Sequence, residues 1–191
     1  MGSIQPGVEA MTDPLIMALD IATRTGWCVG RPGAMPTCGS IRFGQFYSES
    51  HEVFGAALKW FSEFLRESPV RPDTLIVEAM LPPTAMKNHT SRAVRDRLGG
   101  LHGVLLGVAQ LRGIGEIASA SVGDVRAHFI GDRNCKREQA KREVMLQCEA
   151  QGWLVQDNNA ADACALWSYA CALVDPKLAL RVVPLFHRRS A

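Results

Sequence analysis

The sequence contains no Cys-x-x-Cys pair, no apolar run of membrane-spanning length and no apolar core near its N-terminus. Its six cysteines, Cys28, Cys38, Cys135, Cys148, Cys164 and Cys171, are scattered and have no partnering histidine cluster. That spacing argues against a zinc site and, in a chain without a secretion signal, for reduced thiols. Cys164 and Cys171 fall in an apolar helical run and read as small core residues. The longest helical pattern is interrupted by Arg, His, Gly and Gln, which excludes a transmembrane helix and predicts a cytoplasmic protein with no membrane partner. No internal repeat or low-complexity tract is visible, which excludes solenoids and arrays. A large charge excess is also missing, with 21 basic and 19 acidic side chains giving a net +2.

The 191 residues are 47% hydrophobic and 21% charged, enough for one globular domain with a real core. Residues 1–13 are polar, contain Pro and Gly and lack periodicity, so they predict a flexible leader. The domain is expected over residues 14–175, followed by a basic C-terminal tail over residues 176–191.

Leu15 to Asp20 is a continuous apolar run of strand length that delivers one aspartate at its end. A Thr-Arg-Thr-Gly26 turn and a second apolar run through Val29 follow, the pattern of a buried strand in a hairpin. Ser40 to Phe46 alternates as a third strand, and the short turns make all three antiparallel. Val53, Phe54, Ala57, Leu58, Phe61, Phe64 and Leu65 recur at helical spacing from about His51 to Glu67. Thr74 to Glu78 is a second short apolar run ending in an acid, and a right-handed crossover would lay it parallel beside the first. Ser91 is placed to cap a long helix with Val94, Leu98, Leu101, Leu105, Val108 and Leu111 on one face. Gly99, Gly103 and Gly107 form a stripe on it, expected to admit the sheet beneath or a partner subunit. Ile117 to Ala120 is a fifth strand, Ser121 caps a brief helix through Phe129, and Lys136 to Gln151 is a helix closed by Gly152. Asn158 to Val174 is an apolar helix stopped by Pro176. The reading is a single α/β domain with a mixed five-stranded sheet, in the order βββαβαβα, flanked by helices.

Two basic segments bracket the middle of the chain. One holds Lys87, Arg92, Arg95 and Arg97, the other Arg126, Arg133, Lys136, Arg137, Lys141 and Arg142. Such runs are either solvated helix faces or surfaces that track phosphates.

The acids carry the chemistry. Asp20 at a strand end is either a turn former or part of a metal or phosphate site. Asp162 lies among alanines, cysteines and apolar residues on a buried helix, where an unpaired carboxylate is costly, so it should face a cation or another partner. Asn159 and Asn158 share its helix face, whereas Asp157 is off that face and reads as an N-cap. Asp20, Glu78 and Asp162 would repel one another unless they bind a divalent metal, and hard oxygen donors suit Mg²⁺ or Mn²⁺.

The motifs Leu19-Asp20-Ile-Ala-Thr-Arg-Thr-Gly26, Ile76-Val-Glu78, Val125-Arg126 through Gly131 to Lys136-Arg137-Glu138-Gln139, and Asn159-Ala-Ala-Asp162-Ala163-Cys-Ala-Leu166 occur in one order with compatible spacing. That order resembles RuvC-type Holliday junction resolvases of the RNase H-like superfamily, over about Leu15 to Val174. The resemblance implies an RNase H-like fold and a homodimer that cuts four-way DNA junctions as a crossover junction endodeoxyribonuclease. It implies two Mg²⁺ or Mn²⁺ ions and no nucleotide cofactor. Asp20, Glu78 and Asp162 match the family's metal-binding carboxylates. Arg126 and Arg137 match its basic DNA-contacting positions, and Lys87, Arg92, Arg95, Lys136 and Lys141 are expected to join them on the DNA. Asn159 falls where many relatives carry a fourth acid or a histidine; its amide oxygen could still ligate, and Asp157 could instead complete the site. The segment Ala79 to His89 has no aromatic of the kind that the family often uses to stack on bases. Two other readings compete with the nuclease. One is a junction-binding protein without catalysis. The other is an actin-like phosphotransferase, whose phosphate loop the Asp20 turn also resembles, although one domain of this length is small for enclosing a nucleotide.

Overall fold

The computed structural model describes residues 13–45, 47–69, 71–80 and 91–178. It contains a mixed five-stranded sheet: β1 (Ile16–Asp20), β2 (Arg24–Gly30), β3 (Thr37–Arg42), β4 (Thr74–Glu78) and β5 (Glu116–Ala120). The strand order is β3-β2-β1-β4-β5. The first three strands form an antiparallel meander, while β4 joins β1 in parallel and β5 joins β4 in parallel. The helices are α1 (Ser50–Glu67), α2 (Arg92–Leu111), α3 (Val122–Phe129), α4 (Arg137–Ala150) and α5 (Asn158–Val174), and a further helical turn begins at residues 176–178. This is the α/β architecture that the sequence predicts.

Because side chains alternate across a strand, each central strand feeds two cores. Met17 and Leu19 of β1 and Leu75 and Val77 of β4 point to the α1/α2 side, where they meet Val53, Phe61, Leu101 and Leu105. Ile16 and Ala18 of β1 and Ile76 of β4 point to the α3/α4/α5 side, against Phe129, Val144, Cys164 and Leu166. Parity therefore sends Asp20 and Glu78 to the second face, the one that α5 covers.

α5 lies close on that face because the residues between them are small. Ala160, Ala161, Ala163 and Cys164 are fully buried, and a Cβ added at Gly26 of β2 would stand 1.8 Å from the Asn159 carbonyl oxygen. Glycine at position 26 is what allows the helix N-terminus to rest on the hairpin. The turn between β1 and β2 is tied by Thr25, whose buried hydroxyl donates to the Ala22 carbonyl (2.7 Å) and accepts from the Ala22 N–H (3.2 Å).

Three expectations change. The third strand is Thr37–Arg42 rather than Ser40 to Phe46, because the register runs from Arg24 opposite Arg42 to Val29 opposite Thr37 and the ladder ends there. Phe43 is buried all the same, held by its N–H bond to the Thr23 carbonyl (2.9 Å); Phe46 lies outside the described residues. The stripe Gly99/Gly103/Gly107 does not pack on the sheet, since among the described residues nothing stands within 4 Å of a Cβ at Gly103 or Gly107. Gly100 makes the close contact instead, against Phe54 of α1. Finally, Lys136 is the N-cap of α4 and Gln151 its C-cap, with Gly152 following at φ 74°.

Candidate active site

Asp20 ends β1 and Glu78 ends β4. The parallel register pairs Leu19 with Val77, so the next residues, the two acids, leave the same sheet end on neighbouring strands roughly 4.8 Å apart. Asp162 arrives from the first turns of α5 on the same face. The three carboxylates line one compact cleft of about 50 Å³, closed by Arg126, Phe129, Val144 and Leu166.

Their electrostatics are those of an uncompensated cluster. Asp20 is pushed from 3.8 up to about 8, first by burial and then by the charges of Glu78 and Asp162. Glu78 rises from 4.5 to about 7 through burial and Asp162, partly offset by Arg126. Asp162 rises from 3.8 to about 6 by burial, against the pull of Arg126, Lys141 and Arg137. The three share one field and titrate as a set. Among the described residues no salt bridge neutralises any of them.

Three hard oxygen donors with excess negative charge are chemically suited to a divalent cation. Among the described residues, however, no three acidic, histidine or cysteine side chains already converge on a single ion position. The backbone nevertheless brings all three acids to the wall of one cleft.

Of the basic candidates, Arg126 is a wall of the cleft, with its guanidinium donating to the Cys135 carbonyl (3.1 Å). Arg137 and Lys141 sit on α4 near enough to act on Asp162, and Lys141 also pairs with Glu138 (3.3 Å). Lys136 is exposed at the N-cap of the same helix. Arg92 and Arg95 stand apart from these, at the start of α2, where exposed Arg92 pairs with Asp96 (3.6 Å). Lys87 lies outside the described residues.

Asp157 caps α5, accepting from the Ala160 N–H (3.0 Å). It also accepts from the Ser40 hydroxyl (2.6 Å) and pairs with Arg24 (3.3 Å). Burial works to raise its carboxyl, but the Ser40 and backbone hydrogen bonds and Arg24 hold it below its ordinary value. Its oxygens are committed away from the cleft. Asn159 is half-buried one turn before Asp162, and α5 contributes Asp162, Ala165 and Leu166 to the cleft wall.

One feature escaped the sequence reading. A groove of about 410 Å³ beside the β1–β2 turn is lined by Thr23, Arg42, Gln45, Arg97 and Leu98. Arg97 is fixed there by the Ser48 carbonyl (2.8 Å). Arg42 ends an edge strand, a position that no periodicity marks.

No protein-family model and no curated protein sequence matches the chain. Solved structures do. The Thermus thermophilus RuvC structure superposes with a TM-score of 0.63 at 17% identity, covering 84% of this chain and 95% of that one. The chain has the RuvC fold. T. thermophilus RuvC in complex with a Holliday junction substrate gives a TM-score of 0.62 at 14% identity, with the same coverage. The yeast mitochondrial Holliday junction resolvase Ydc2 gives 0.56 at 12% identity, covering 91% of this chain and 87% of that one. Among the described residues no helix is long and apolar enough to cross a membrane.

Proposed function

We propose that this protein is a metal-dependent endonuclease that cleaves phosphodiesters in branched DNA, with the four-way junction as its substrate. The observation that carries the reading is the convergence of Asp20, Glu78 and Asp162 from β1, β4 and α5 on one cleft, with charge that Arg126, Arg137 and Lys141 offset only in part and that no salt bridge among the described residues neutralises. The fold adds support, since one neighbour sharing it is a RuvC bound to a Holliday junction substrate.

Asp20, Glu78 and Asp162 would hold the divalent metal, with Asn159, one turn before Asp162, offering a neutral amide oxygen. Mg²⁺ or Mn²⁺ bound there would supply the Lewis acidity for phosphodiester hydrolysis. Arg126 on the cleft wall holds a phosphate oxygen of the scissile strand. Arg137, Lys136 and Lys141 continue that contact along the backbone of one arm without reading sequence. Arg92, Arg95 and Lys87 serve a second stretch of DNA on the α2 side. A two-fold dimer through the exposed glycine face of α2 matches the symmetry of a four-way junction.

Asn159 favours a second reading, in which the protein binds junctions without cutting them. One experiment separates the two. Labelled four-way junction, linear duplex and RNA/DNA hybrid are incubated with the protein in Mg²⁺, Mn²⁺ or EDTA. Metal-dependent cleavage of the junction alone supports the nuclease. Tight junction binding with no cleavage in either metal supports the second reading.

A further inference from the structure

Away from the acids, four of the six cysteines come together. Cys28 of β2 and Cys38 of β3 are direct partners in the antiparallel ladder. Cys164 of α5 and Cys148 of α4 pack in the same core cluster, against which Cys38 is also packed. All are free thiols, and within this group only Cys38 keeps accessible surface; Cys28, Cys148 and Cys164 are buried. The sulfur of Cys38 also lies 3.5 Å from the Leu154 carbonyl at the rim of the cluster.

Two physical facts single out Cys38. Opposed residues of an antiparallel pair have Cα atoms roughly 4.5–5.5 Å apart, within the roughly 4.4–6.8 Å span of a disulfide. Their side chains also leave the same face of the sheet, so the register puts Cys28 and Cys38 side by side. The hydrogen bond from Cys164 holds the Cys38 thiol below its ordinary value, against the effect of burial, whereas burial pushes the Cys28 thiol up. An accessible thiol of lowered pKa and a buried thiol beside it suit the attacking and resolving halves of an oxidation couple.

We propose that Cys38 is an oxidative modification site, at which a hydroperoxide forms a sulfenic acid that Cys28 resolves as a cross-strand disulfide. The Cys38 thiolate attacks the distal peroxide oxygen, the O–O bond breaks, and the hydroperoxide is reduced to its alcohol, or to water for hydrogen peroxide. The Cys28 sulfur then attacks the Cys38 sulfur, an S–S bond forms, and the sulfenic oxygen leaves as water. Two thiols have lost two electrons and two protons, and a dithiol reductant reverses the change. The proposal is independent of the nuclease reading.

The test is thiol counting and peptide mapping of the full chain during titration with hydrogen peroxide. Two of the six thiols should disappear first, joined as a Cys28–Cys38 peptide that dithiothreitol releases. Cys28→Ser should stop at a Cys38 sulfenic acid trapped by dimedone, and Cys38→Ser should slow the first oxidation at least about tenfold. In case either variant folds poorly, dimedone added to the unaltered protein at early times should label Cys38 alone. Earlier oxidation of Cys135 or Cys171, a bond from Cys38 to Cys164 in place of Cys28, or protection of the whole cluster by stoichiometric zinc would each overturn it.

Discussion

Asp20 and Glu78 stand side by side at the ends of two parallel strands, one position beyond the Leu19–Val77 pair, and both face α5. Nothing in their own strands requires acids there, and each costs stability by its burial and by the charge of its neighbour. Removing either carboxylate isosterically should therefore remove function and spare the fold. Asp20→Asn, Glu78→Gln and Asp162→Asn should each lower metal-dependent junction cleavage by about 100- to 1000-fold, the kinetic equivalent of a few kcal/mol of lost charge stabilisation. Junction binding, read by gel shift in the same samples, should persist.

The same raised acids set the pH dependence of stability. A carboxyl raised from 3.8 to about 8 on folding favours the unfolded state once the unfolded chain ionises. Stability should thus fall as pH rises from about 4 to about 8 and level off above, by at most about 1.4 kcal/mol per pH unit for one such group. Thermal unfolding in EDTA should show this slope in the wild type and a flatter one in Asp20→Asn. Mg²⁺ or Mn²⁺ should restore stability to the wild type at pH 8 and do much less for the variant.

Arg126 and Arg137 should contribute through phosphates. Reversing either charge should weaken junction binding and reduce the slope of log affinity against log salt by about 0.9 for each lost contact with duplex DNA. An unchanged slope would return both residues to the role of solvated surface charges.

Two glycines of opposite environment give opposite outcomes. Gly26→Ala forces a Cβ into the Asn159 carbonyl and should destabilise by about 1–3 kcal/mol in chemical denaturation, as overpacking does. Gly103→Ala meets no neighbour among the described residues and should stabilise the isolated chain by up to about 1 kcal/mol. If the α2 glycine face is the dimer contact, Gly103→Ala should also weaken self-association measured by sedimentation at micromolar concentration, and a monomeric wild type would remove that role.

Much of this arrangement was legible because the signals were periodic. The strand parity that sends Asp20 and Glu78 to one face follows from counting along Leu15 to Asp20 and Thr74 to Glu78, and the capping residues Ser91, Ser121 and Asp157 mark helix starts where they are found. The end of β3 was not legible, because Phe43 is buried by a closing loop and so prolongs the alternation past the ladder. The thiol cluster was hidden for a different reason. Cys28 and Cys38 meet through a hairpin register and reach Cys164 and Cys148 through tertiary packing, so no spacing in the chain announces them. The glycine stripe on α2 was visible, but which glycine touches a neighbour depends on helix rotation, and Gly100 took that role.

The placement of α5 also bears on how the protein is made. β1 leaves the ribosome well before the helix that covers one whole face of it, which comes about 140 residues later, a delay of roughly ten to thirty seconds at ordinary synthesis rates. Until then Ile16, Ala18 and Ile76 lie open on that face, and Asp20 and Glu78 lack Asp162. The nascent chain therefore carries an exposed apolar sheet and an incomplete acid cleft, and both are completed by one docking event. A chain that stalls before Asn158 lacks Asp162 and leaves that apolar face of the sheet uncovered.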